Sequence, residues 1–91
     1  MATGYRVLVD RRAEKDLKDA PRHVVARFVT ALDGLAEDPL RPRPGFDVKP
    51  LEGLRGTYRL RLGTWRVLYQ VDKAERVVRV TSAAPRGSAY R

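Results

Sequence analysis

The stretch Thr57-Tyr58-Arg59-Leu60-Arg61-Leu62-Gly63-Thr64-Trp65-Arg66-Val67-Leu68-Tyr69-Gln70-Val71-Asp72 decides the fold. From Thr57 to Leu62 it alternates strictly, with Tyr58, Leu60 and Leu62 on one face and Arg59 and Arg61 on the other, which is the period of a half-buried strand. Gly63-Thr64 fits a two-residue hairpin turn, so Trp65 to Asp72 is the returning strand. That turn sets the register: Leu62 faces Trp65, Arg61 faces Arg66, Leu60 faces Val67 and Arg59 faces Leu68. Two arginines then lie directly opposite each other, with Arg59 on the same face. Like charges in that position cost up to about 1 kcal/mol, and no carboxylate on these two strands is in reach to neutralise them. An anion would relieve the repulsion. A rigid face holding Arg59, Arg61 and Arg66 therefore reads as a phosphate-binding surface.

Upstream of this hairpin, Tyr5 to Val9 reads as a short strand, and Asp10 has the type and place of an N-cap for a helix running to about Asp19. Ala20-Pro21 ends that helix and starts a second. In the second, Val25, Phe28, Val29, Leu32 and Leu35 recur at three- and four-residue spacing, an amphipathic stripe ending near Glu37. Between Asp38 and Pro50, Pro39, Pro42, Pro44, Gly45 and Pro50 predict a connecting loop, with Phe46-Asp47-Val48 a short edge strand inside it. Downstream, Asp72 to Glu75 is a turn, Arg76 to Ala84 another strand, and Pro85 to Arg91 a closing loop. The order β-α-α-β-β-β predicts an α+β fold, a mostly antiparallel sheet carrying a helical pair on one face, and residues 1–91 are expected to form a single domain.

Composition narrows the chemistry. The chain has 91 residues, no cysteine and one histidine, His23, which removes disulfides, thiol nucleophiles, zinc fingers and Ser-His catalysis. His23 lies among charged residues and reads as a surface group; Phe28, Phe46, Tyr58 and Trp65 read as core or rim packing. There is no GxGxxG, no P-loop, no carboxylate pair and no metal-ligand cluster, so no cofactor is expected. No apolar run approaches the ~18 residues of a membrane span and the N-terminus has no signal-like stretch, so a cytoplasmic protein is expected. Net charge is +8, and of the 19 basic side chains all but Lys15, Lys18, Lys49 and Lys73 are arginine, the residue suited to bidentate phosphate recognition. The excess is uneven: residues 1–50 carry 10 basic and 8 acidic side chains, residues 51–91 carry 9 and 3, so the polyanion-facing surface is expected in the second half.

The closing loop adds two candidates. Arg86 follows the last strand, the neighbour of the strand bearing Arg66, and Tyr90 offers a ring to stack on a base or a phenol beside a phosphate. Leu51-Glu52-Gly53, the run from Tyr58 to Val71 and the close Pro85-Arg86-Gly87-Ser88-Ala89-Tyr90 together resemble the RelE branch of the RelE/ParE toxin superfamily, over about the whole chain from Tyr5 to Tyr90. The resemblance implies a toxin of a type II toxin–antitoxin pair, an endoribonuclease that cuts messenger RNA in the ribosomal A site without a metal. It implies a cognate acidic antitoxin and an oligomeric toxin–antitoxin complex. In that family's reaction a ribose 2′-hydroxyl attacks the adjacent phosphate, so the protein must align the strand and stabilise added negative charge. Carried over by position, Arg59 and Arg61 stand at the basic strand pair, Arg66 at the phosphate-stabilising arginine, Arg86 at the late arginine and Tyr90 at the C-terminal tyrosine.

One departure matters. The best-known members have lysines at the strand pair, whereas both positions here are arginine, which cannot be deprotonated in a protein. Tyr90 then stands as the ionisable candidate for general base. Two other readings share the fold: a ParE-like inhibitor of DNA gyrase, which has no need of a phosphate site, and a catalytically inactive module that binds its antitoxin as a corepressor.

Overall fold

The computed structural model describes residues 4–85. Its elements are β1 (Arg6–Val9), α1 (Arg11–Lys18), α2 (Arg22–Glu37), β2 (Asp47–Pro50), β3 (Thr57–Leu62), β4 (Trp65–Asp72) and β5 (Val77–Pro85). The strands form one sheet in the order β1-β5-β4-β3-β2, in which β2 to β5 are antiparallel neighbours and β1 runs parallel to β5. This is the expected α+β arrangement, with the short edge strand present as β2. No helix among the described residues is long and apolar enough to cross a membrane.

Both helices cover one face. Ala13 and Leu17 of α1, and Phe28 and Leu35 of α2, close over Val48, Leu60, Leu62, Val67, Tyr69, Val78, Val80 and Ala83, all buried. Each fully buried apolar side chain of this size contributes about 1.5–3 kcal/mol, so this layer carries the fold. Asp10 occupies the N-cap position of α1 but makes no capping hydrogen bond; its carboxylate pairs with Arg79 at 3.7 Å. The stripe of α2 differs from the expected one. Val24 is buried and Val29 is 57% exposed, so the inward set is Val24, Phe28 and Leu35 with the half-buried Ala31 and Leu32; Phe28, Leu32 and Leu35 are as expected. Adjacent apolar pairs at 24/25 and 28/29 satisfy helical spacing in two rotations, and the sheet beneath selects one.

Gly63 takes φ 64° at the first central position of the β3–β4 turn, as a two-residue II′ hairpin requires, and the observed register is the expected one. Between β4 and β5 the register shifts: Leu68 pairs with Ser82 and Tyr69 with Val80, leaving Thr81 as the extra residue of a bulge. The Thr81 hydroxyl donates to the Leu68 carbonyl at 3.3 Å. The bulge changes which residues face inward, so Val78, Val80 and then Ala83 are buried. Where β1 has ended, the Ala83 N–H donates to the Asp16 carboxylate at 3.0 Å, docking α1 on β5.

Candidate functional site

The helices leave the other face of the sheet open, and strand register maps it. One row across the strands reads Asp47 (β2), Arg61 (β3), Arg66 (β4) and Ala84 (β5); the next reads Lys49, Arg59, Leu68 and Ser82. Facing side chains on adjacent strands are about 5 Å apart at Cβ. Arg59, Arg61 and Arg66 are thus brought together on one rigid surface, as their alternation with Leu60, Leu62 and Val67 demands. Arg86 and Tyr90 lie outside the described residues.

The surface is not the bare cationic face that the hairpin alone suggests. Asp47 Oδ1 lies 3.6 Å from Arg59 Nη1 and its Oδ2 lies 3.9 Å from Arg61 Nε. The carboxylate comes from the edge strand β2, so the expectation that no acid of the hairpin's own two strands is in reach stands, and the neighbouring strand supplies one. The register of β2 was the missing information: Phe46-Asp47-Val48 shows the alternation of a strand, but its partner residues depend on a loop that sequence does not fix. Both ion pairs are longer than hydrogen bonds, and Arg59 Nη1 and Arg61 Nε are buried donors with no hydrogen-bond acceptor among the described residues. Arg59 itself is only 7% exposed. Buried donors of this kind are costly unless an acceptor arrives.

Beyond the second row the same face continues into an open depression of about 970 Å³ lined by Arg6, Leu8, Gln70 and Arg79, with Arg55 and Lys73 at its edge. On the far side of Arg61 a groove of about 600 Å³ runs between β3 and α2, lined by Arg27, Thr30, Arg43 and Phe46. The first depression also carries Asp72 and Glu75 and the second Glu37, so basic side chains outnumber acidic ones in both without making either purely cationic. Tyr69, the tyrosine nearest in sequence to Arg66, belongs to the opposite face. Burial, reinforced by the stacked Tyr58 ring 5.8 Å away, pushes its phenol well above the ordinary range, and its hydroxyl donates to the Pro39 carbonyl at 2.6 Å. It is a structural donor. His23 is exposed, and the described residues bring no three His, Cys, Asp or Glu side chains together as metal ligands.

The chain's relatives share this frame. The family model described as the ParE toxin of type II toxin–antitoxin systems, parDE, matches residues 7–85. Toxin RelG of Mycobacterium tuberculosis is 34% identical over 89 residues, covering 96% of this chain and 97% of its own. The archaeal RelE–RelB complex from Pyrococcus horikoshii contains a chain of 37% identity that superposes with a TM-score of 0.79 over 98% of this chain and 100% of that one. A chain of the toxin–antitoxin complex RelBE2 from Mycobacterium tuberculosis matches at 31% identity and a TM-score of 0.77, covering 92% of this chain and 100% of that one. With the matching model spanning most of its length and RelE toxins covering it nearly end to end, the chain belongs to the ParE/RelE family of type II toxin–antitoxin toxins, as a RelE-type member.

Proposed function

We propose that this toxin is an endoribonuclease that cuts messenger RNA in the ribosomal A site, by attack of a ribose 2′-hydroxyl on the adjacent phosphate. The observation that carries this reading is the guanidinium row: Arg61 directly opposite Arg66, with Arg59 beside them, on the sheet face opposite the two described helices. Attack on a phosphodiester gathers negative charge on the non-bridging oxygens, and donors fixed on adjacent strands meet that charge without reorganising. Arg61 and Arg66 straddle the phosphate, Arg59 supports it from the next row, and Arg86 and Tyr90 are assigned to the same site by their family positions. The reaction needs no metal, since arginines supply the charge stabilisation, and the ribosome holds the strand in line. The site of action is the cytoplasm.

The partner in this reading is an acidic antitoxin. Support comes from the relatives described as toxin–antitoxin complexes, from the net charge of +8, and from an apolar groove of about 910 Å³ between the two helices, lined by Val9, Leu17, Val25 and Phe28 together with the charged Lys18, Arg22 and Glu14. That combination suits an amphipathic acidic segment, which neutralises charge and buries apolar surface together.

Primer extension on translated messages after expression tests the nuclease. The parent should produce stops at A-site codons, and Arg66→Ala at equal level should produce none and no longer inhibit growth. Growth inhibition without RNA stops, together with loss of DNA supercoiling activity by gyrase, would instead support the second reading, which the description of the matched family model favours.

A further inference from the structure

Resting on that reading, we propose that Asp47 is the general base that takes the ribose 2′-hydroxyl proton. The arginines of the face remain protonated and so cannot accept it. In this assignment Asp47 takes the proton-accepting role that the family position gave to Tyr90, which is left to stack on the base. Asp47 is the carboxylate that the sheet places in their row, one strand from Arg61 and two from Arg66. Attack requires the 2′-oxygen about 3–3.5 Å from phosphorus, and a base must stand about 2.6–3.2 Å from that oxygen, so base and phosphate are separated by roughly 6 Å. Neighbouring strands offer about that spacing between facing side chains. A phosphate lying across Arg61 and Arg66 therefore brings the adjoining hydroxyl to the Asp47 side of the row.

The contacts also leave the carboxylate able to act. Its side chain is 54% exposed while that of Arg59 beneath it is nearly buried, so its open side faces an incoming strand. Its ion pairs of 3.6 and 3.9 Å are Coulombic contacts, not hydrogen bonds, and Arg59 Nη1 and Arg61 Nε have no hydrogen-bond acceptor among the described residues. Phosphate oxygens offer the guanidiniums hydrogen-bond acceptors of full charge that Asp47, at these distances, does not, so the strand takes over the guanidiniums and Asp47 turns to the hydroxyl. Lys49, its neighbour on β2, lies opposite Arg59 and keeps that end of the face cationic. In the step itself the proton passes from the 2′-oxygen to an Asp47 oxygen, the 2′-oxygen bonds to phosphorus, and the bond from phosphorus to the 5′-oxygen breaks. The departing 5′-oxygen takes a proton from water, and Asp47 returns its own to solvent. A 2′,3′-cyclic phosphate and a 5′-hydroxyl result.

The competing role for a carboxylate here is a screen that occupies the arginines and repels RNA. Asp47→Asn separates the two because they move the rate in opposite directions. Single-turnover cleavage is measured on programmed ribosomes, and affinity on the same ribosomes carrying a message with a 2′-deoxy nucleotide at the cut site. As a base, Asp47→Asn slows cleavage by about 10²–10⁴, binds the uncleavable message as tightly as the parent or tighter, and Asp47→Glu stays within about tenfold of the parent. Cleavage by Asp47→Asn at or above the parental rate overturns the assignment. So does a folded Asp47→Glu that cuts nothing, which decides the matter even if the amide variant fails to fold. A parent that leaves the message intact while its Arg66→Ala variant behaves identically overturns the nuclease reading itself, a result distinct from either.

Discussion

Replacing Arg59 with methionine separates what the arginine face does for the fold from what it does for RNA. Arg59 is nearly buried, and its nearest counter-charge is Asp47 at 3.6 Å. At an effective dielectric near 20 that attraction is worth about 4–5 kcal/mol before costs. Against it stands the desolvation of a guanidinium, also several kcal/mol, and a buried Nη1 donor with no acceptor among the described residues. The terms nearly cancel. Methionine keeps the unbranched stem and its packing, and the partner it abandons is not stranded, because Asp47 is half exposed and still lies beside Arg61. The expected change in stability is therefore within about 1 kcal/mol, or a Tm shift of no more than about 8 °C for a domain of this size. Cleavage of ribosome-bound message, by contrast, should fall by about 10²–10³, the usual cost of removing one donor from a developing oxyanion. Thermal unfolding and single-turnover cleavage on one preparation give both numbers. A Tm loss above about 12 °C, the mark of a buried pair broken at about 3–5 kcal/mol, would show that Arg59 is chiefly a structural cation and refute the reasoning.

Two further substitutions probe the frame behind the site. Gly34→Ala in α2 gains about 1 kcal/mol of helix propensity, but the added methyl would stand 2.9 and 3.0 Å from two carbons of the buried Phe46 ring, and overpacking of that kind costs about 1–3 kcal/mol. Packing should win, with a lower Tm; an unchanged or higher Tm would mean the ring yields freely. Asp38 accepts hydrogen bonds from the Leu40 and Arg41 backbone N–H groups and from Arg41 Nε, and its carboxyl is held below the ordinary 3.8, chiefly by the Leu40 contact and against an opposing effect of burial. A lowered folded value means stability present above the unfolded value and lost as pH falls through the folded one, so Asp38→Asn should be less stable than the parent at neutral pH and the gap should close below pH 3.8. A gap that persists at lower pH would place its origin outside the carboxyl's charge.

The second half of the chain was legible because its pattern is local. A two-residue Gly-Thr turn fixes the β3–β4 register by itself, and the register puts Arg61 against Arg66. What the sequence could not supply is decided between elements. The inward rotation of α2 depends on the sheet, since Val24 and Val25 are equally apolar and only one is fully buried. The β5 bulge at Thr81 carries no marker such as glycine. Asp47 was visible as a residue but not as a neighbour of the arginines, because the nine residues 38–46, three of them proline, separate α2 from β2 and nothing in them states where β2 docks.

That segment is therefore more than a connection. The Tyr69 hydroxyl, from the middle of β4, holds the Pro39 carbonyl, while the Arg43 guanidinium donates to the carbonyls of Gly34, Asp38 and Arg41 and lies 4.2 Å over the Phe46 ring. These contacts tie the end of α2 to the residue just before β2, and Arg43 and Phe46 bond each other's backbones in a small bridge. Phe46 and Val48 are buried, so Asp47 between them must turn outward. A slip of one residue in β2 would send the carboxylate toward the core and Val48 onto the arginine face. Whether a carboxylate meets the phosphate is thus set on the other side of the sheet, by an arginine, a tyrosine and a phenylalanine that have no contact with RNA in the proposed mechanism. A change at Arg43 or Tyr69 should accordingly alter cleavage through the position of Asp47 while leaving Arg61 and Arg66 opposite each other, because their register is fixed by the hairpin turn alone.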